Sequence, residues 1–95
     1  MENKLLKIIN YYGVENQLRK FSEENFELIE AIHGWYFDME GARYQGNENN
    51  IKEEIADNLV LLSQFILYYD IDLSDIEKIF KQKVNRQIER IEKGE

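Results

Sequence analysis

Apolar residues recur with a helical period in four stretches of this chain. The first covers residues 2–11, with Leu5, Ile8, Ile9 and Tyr12 on one side, and Gly13 interrupts it. The pattern predicts a second helix from about Glu15 to Tyr36, a third from about Ile51 to Tyr69 and a fourth from about Asp75 to Glu92. Asn50 with Glu53 reads as a capping box for the third, and Ser74 with Glu77 as one for the fourth. Between the second and third, Phe37 to Asn50 carries Gly41, Gly46, Asn47, Asn49 and Asn50 and reads as a loop. No segment shows strand alternation. The expectation is one all-α domain over residues 1–95, a small antiparallel four-helix bundle.

The faces of the two central helices carry more information than their lengths. At about 100° per residue, Glu24 falls among Gln17, Phe21, Leu28, Ala31 and Trp35, with Glu27 at the border. Arg19, Glu23, Glu30 and His33 fall on the other side. On the third helix Ile51, Ile55, Leu59, Leu62, Ile66 and Tyr69 form one apolar face. The opposite face opens with Glu53, Glu54 and Asp57, then turns apolar through Leu61, Phe65 and Tyr68. A solvated face would stay charged, so the third helix reads as buried on both sides, with acids lining a cleft. Carboxylates in an apolar cleft need compensating cations. Residues three apart share a helix face, so two such carboxylate pairs on facing helices would form a four-carboxylate site suited to Mg²⁺ or Mn²⁺.

Composition narrows the chemistry. The 95 residues include no cysteine and one histidine, which excludes thiolate catalysis, disulfides and zinc–cysteine sites. The only serines are Ser22, Ser63 and Ser74, and nothing pairs one of them with His33. Twelve basic against 19 acidic residues give a net charge of −7, which argues against direct binding of a nucleic-acid backbone. No run approaches the roughly 20 apolar residues of a membrane span, and the N-terminus lacks the features of a signal peptide. The expected setting is cytoplasmic, and the small core of so short a chain favours a homo-oligomer.

Glu23-Glu24-Asn25-Phe26-Glu27-Leu28 resembles the EExxEL segment of the MazG-like all-α nucleoside triphosphate pyrophosphohydrolases, and Glu53-Glu54-Ile55-Ala56-Asp57 resembles their EExxD segment. Gln17-Leu18-Arg19-Lys20, Glu30-Ala31-Ile32 and the apolar run from Leu59 to Tyr69 are similar to small bacterial and phage members. The last helix, with Lys81, Lys83, Asn85 and Arg86, resembles the family's Lys/Asn/Arg-bearing final helix. The resemblance covers roughly residues 10 to 91. It implies Mg²⁺-dependent hydrolysis of a nucleoside triphosphate to the monophosphate and pyrophosphate, with metal held by Glu24, Glu27, Glu54 and Asp57. It implies an outer role, or help with a further ion, for Glu23 and Glu53. Lys81, Asn85 and Arg86 become candidates for binding phosphate. It also implies a homodimer or homotetramer, with Trp35, Tyr36 and Phe37 available to stack a base. The segment from Phe37 to Asn50 departs from the family pattern, and His33-Gly34 stands where many relatives carry a lysine.

Two other readings compete. Glu30-Ala31-Ile32-His33 matches the ExxH element of carboxylate-bridged di-iron bundles, which typically use two copies. Alternatively, a small acidic helical protein serves as a non-catalytic interaction module, with its acids spread over an outer surface.

Overall fold

The computed structural model describes residues 1–41 and 48–94, with side chains described for residues 1–34 and 50–94. Four helices follow one another: α1 (Glu2–Tyr12), α2 (Val14–Gly41), α3 (Glu48–Tyr68) and α4 (Leu73–Glu92). No strand occurs among the described residues. None of these helices is long and apolar enough to cross a membrane.

The junctions differ from expectation at three places. α2 continues past Tyr36 to Gly41, because residues 37–40 contain neither proline nor glycine to stop it. α3 begins at Glu48, so Asn50 lies inside the helix and is not its N-cap. The part of the expected loop between these ends lies outside the described residues. The N-cap of α4 is Asp72 rather than Ser74: its Oδ1 accepts from the Ser74 backbone N–H at 2.9 Å and from the Ser74 hydroxyl at 2.8 Å. Both are good capping residues, and the aspartate lies two residues ahead of the N–H it captures.

Gly13 turns α1 into α2 in a single residue. Its φ of +87° is one that side chains disfavour, while its N–H donates to the Ile9 carbonyl at 2.8 Å and its carbonyl accepts from Gln17 N–H at 3.1 Å. α3 ends in a Schellman arrangement. Ile71 N–H donates to Ile66 O and Asp70 N–H to Leu67 O, with Asp70 at φ +51°.

α2 and α3 pack side by side, antiparallel. Gln17 meets Gln64, with Nε2 donating to Oε1 at 2.8 Å in the interior. Phe21 meets Phe65 edge-to-face at 5.6 Å, and further along α2 the Glu24 carbonyl meets Asn58. α1 closes this pair, burying Ile9 completely. The interior is small and partly polar: among the described residues, Ile9, Leu61, Gln17, Glu24, Asn58 and Gln64 are buried.

Two faces lie the other way from a closed bundle. The α3 face turned to α2 is the one that opens with acids, running through Glu54, Asn58, Leu61 and Gln64. Its more uniformly apolar face is left outward, with Ile55, Leu59 and Leu62 exposed. Both faces are apolar enough to be buried, and a single copy covers one. α4 stands off from the other three helices. Of its residues only Ile76 is even half-buried, and Ile79, Phe80, Val84, Ile88 and Ile91 are exposed along one stripe.

Candidate functional site

The helical spacing that sets Glu24 among apolar neighbours does bury it; it is 6% exposed. Lys20, one turn earlier, places its Nζ 3.1 Å from Glu24 Oε1. The other oxygen, Oε2, is buried without a hydrogen-bond partner. Across the helix interface Glu54 is half-buried, and its Oε2 is likewise buried and unpartnered. Glu27, exposed and one turn after Glu24, completes a group: Glu24, Glu27 and Glu54 each offer a carboxylate oxygen, all within 4.8 Å of one another.

Like charges so close oppose ionisation. Glu54 holds its proton above the ordinary carboxyl range, first through burial and then through the Glu27 and Glu24 charges. Asp57, exposed at the mouth of a cleft of about 280 Å³ lined with Lys20, Glu24, Val60 and Leu61, is raised as well. There the leading cause is loss of hydration, then the Glu24 charge, with Lys20 opposing. Lys20 itself is pushed up, chiefly by its hydrogen bond to Glu24.

The donor set fits a hard divalent cation. All of its ligand atoms are carboxylate oxygens, which Mg²⁺, Mn²⁺ and Ca²⁺ prefer. Two of these residues, Glu24 and Glu54, each carry a buried oxygen without a hydrogen-bond partner, a costly state that a cation relieves. One ammonium does not neutralise three carboxylates.

The structure thus brings together Glu24, Glu27 and Glu54, with Asp57 beside them. Glu23 and Glu53 are exposed. Glu23 lines an adjoining groove between α1 and α2 with Ile8, Tyr12, Asn16, Arg19 and Lys20, and Lys20 also lines the carboxylate cleft. The Glu53 charge helps raise Asp57. Lys81, Asn85 and Arg86 are exposed on α4, and no α4 residue lines the carboxylate group or its cleft. The side chains of Trp35, Tyr36 and Phe37 lie outside the described residues. Glu30 and His33 are exposed, and the metal-competent group among the described residues includes neither.

One residue of the site escapes the sequence reading. Asn58 is 6% exposed, and its Nδ2 donates to the Glu24 carbonyl at 3.0 Å and to the Glu54 carbonyl at 2.7 Å. Next to Asp57 in an acidic segment it looks like surface. Its spacing of four from Glu54 and three before Leu61 is the signal that assigns it inward.

No curated protein and no solved structure matches the chain. A family model does match, that of the MazG nucleotide pyrophosphohydrolase domain, over residues 13–93. The matched span takes in both carboxylate-bearing helices and α4, and by it the chain belongs to the MazG nucleotide pyrophosphohydrolase domain family.

Proposed function

We propose that this protein hydrolyses a nucleoside triphosphate to the monophosphate and pyrophosphate, in a divalent-cation-dependent reaction at Glu24, Glu27, Glu54 and Asp57. The observation that carries this reading is the carboxylate group itself: three acids within 4.8 Å, with two buried oxygens unpartnered. A polyphosphate is strongly anionic, and four carboxylates repel it unless a cation intervenes. Mg²⁺, with Mn²⁺ as a substitute, is the ion proposed, and when bound it supplies charge neutralisation and Lewis acidity. The protein's part is to hold that charge in place and to orient a water against the α-phosphorus. A carboxylate of the group takes the water's proton, the bond from the α-phosphorus to the bridging oxygen breaks, and pyrophosphate leaves with that oxygen.

The working form is proposed to be a homo-oligomer. The chain exposes 8050 Å², against about 5,800 Å² for a typical monomer of 11.5 kDa. The excess is of the size that stable interfaces bury. Apolar side chains that such an interface would cover are exposed at Ile55, Leu59 and Leu62 on α3, Phe26 and Ile29 on α2, and along the α4 stripe. A second copy also provides the means for Lys81, Asn85 and Arg86 to serve as phosphate ligands, since no α4 residue lines the site within one chain.

The test is direct. The protein is incubated with each common ribo- and deoxyribonucleoside triphosphate, with Mg²⁺ or with excess chelator, and the products are separated. Metal-dependent monophosphate with pyrophosphate is expected. Diphosphate with phosphate, or no turnover of any nucleotide, overturns the proposal, and the second result favours a non-catalytic relative. Glu54→Gln and Asp57→Asn are each expected to abolish turnover while leaving the helical circular dichroism intact. Normal rates in both variants would remove these residues from the site.

A further inference from the structure

Asn58 is a buried polar side chain that hydrogen-bonds to the backbone of both helices of the carboxylate site. The two carbonyls it meets, those of Glu24 and Glu54, are acceptors only, so the amide must turn its Nδ2 towards them. That fixes the other end: Oδ1 is buried and has no hydrogen-bond partner. The same stretch of the α2–α3 interface therefore holds three buried, unpartnered oxygens, from Glu24, Glu54 and Asn58. The carboxylate oxygens accept a cation. An amide oxygen at a buried position wants a donor, and among the described residues no side chain supplies one there. Water is the small donor that enters such a place, and buried waters settle where several unsatisfied polar groups converge.

We infer that Asn58 is a positioning residue of the carboxylate site: its amide nitrogen sets the spacing of Glu24 and Glu54, and its oxygen accepts a hydrogen bond from a water that enters the site with the divalent cation. The inference rests on the metal-dependent reading above and adds a residue to it. Groups that orient ligands from behind typically matter ten- to a hundredfold for metal affinity. A second buried interhelical bond, Gln17 to Gln64, offers a built-in comparison. It joins the same two helices further along, and Gln64 lies nearly two turns beyond Asn58 on α3.

The experiment measures Mn²⁺ binding by calorimetry, and melting temperature with and without Mn²⁺, for the full chain and three variants. Asn58→Ala removes both amide functions. Asn58→Thr keeps a hydroxyl able to donate to the Glu54 carbonyl one turn back, and so retains part of the native bonding should the alanine variant fail to fold. Gln64→Ala breaks the comparison bond. The expected result is a tenfold or greater loss of Mn²⁺ affinity in both Asn58 variants, with a smaller Mn²⁺-induced rise in melting temperature. Gln64→Ala is expected to lower the metal-free melting temperature yet bind Mn²⁺ like the wild type. Wild-type Mn²⁺ affinity in the Asn58 variants overturns the inference and leaves the carboxylate site standing. Equal loss in Gln64→Ala overturns it too, by showing a purely structural effect. Failure of the wild type to bind Mn²⁺ overturns this inference and the metal-dependent reading together.

Discussion

Glu24 is a residue whose burial makes sense only in company. Burying a carboxylate costs hydration that a nearby cation must offset. Here Lys20 compensates one oxygen, and the second is left for whatever enters the site. The consequence reaches stability. Glu54 and Asp57 bind protons more tightly in the folded chain than their ordinary values of 4.5 and 3.8. Between those values and the raised ones, the folded state carries more protons than the unfolded state. The stabilisation is thus complete below the ordinary values and is lost as pH rises through the raised ones. In chelator, melting temperature is expected to fall as pH rises through this window, and Glu54→Gln is expected to flatten the fall and to melt higher than the wild type at neutral pH. Mg²⁺ should restore the wild type most at the upper end of the window and do less for Glu54→Gln. Melting curves across pH, with and without Mg²⁺, check all of this. Much of the site was legible residue by residue, because Glu24 breaks an apolar stripe and helical spacing alone reports that. Asn58 was not, because its role depends on two backbone carbonyls, one of them on a different helix.

At the scale of elements, junction chemistry decides where helices begin and end. Asp70 occupies the left-handed position of the α3 C-terminus, which glycine fills at no steric cost. Asp70→Gly is expected to stabilise the protein by about 1 kcal/mol, read from denaturant midpoints. The Asp72 cap acts on α4, which does not pack on the core. Asp72→Ala is therefore expected to cost about 1 kcal/mol of α4 helicity, seen as lost circular dichroism with little change in the main melting transition. The four helices themselves could be read from periodicity, since no proline and few glycines interrupt it. The ends were less accessible. Asp72 and Ser74 are both competent caps, and only the geometry of the turn chooses between them. The orientation of α3 was hidden for another reason: with two burial-competent faces, its pattern does not say which one meets α2.

The molecule as a whole is open for its length. Its radius of gyration is 17.0 Å, against about 12 Å for a compact domain of 95 residues, and its surface is correspondingly large. Sedimentation of the wild type at micromolar concentration is expected to give a dimer or tetramer. Phe80→Glu and Ile88→Glu, placed on the exposed α4 stripe, are expected to shift it towards monomer without unfolding α1 to α3. Sequence could announce the surplus of apolar residues but not where it would be left uncovered, because that depends on how three helices share one small core. The detached position of α4 has a further consequence. An isolated helix of its 20 residues gains little stability in water by itself, so in the proposed homo-oligomer its order would come from the partner copy and obey mass action. Dilution then becomes a form of denaturation confined to one end of the chain. Protease sensitivity within α4 should climb as the protein is diluted, and turnover per molecule should decline with it, while the three-helix core stays folded throughout.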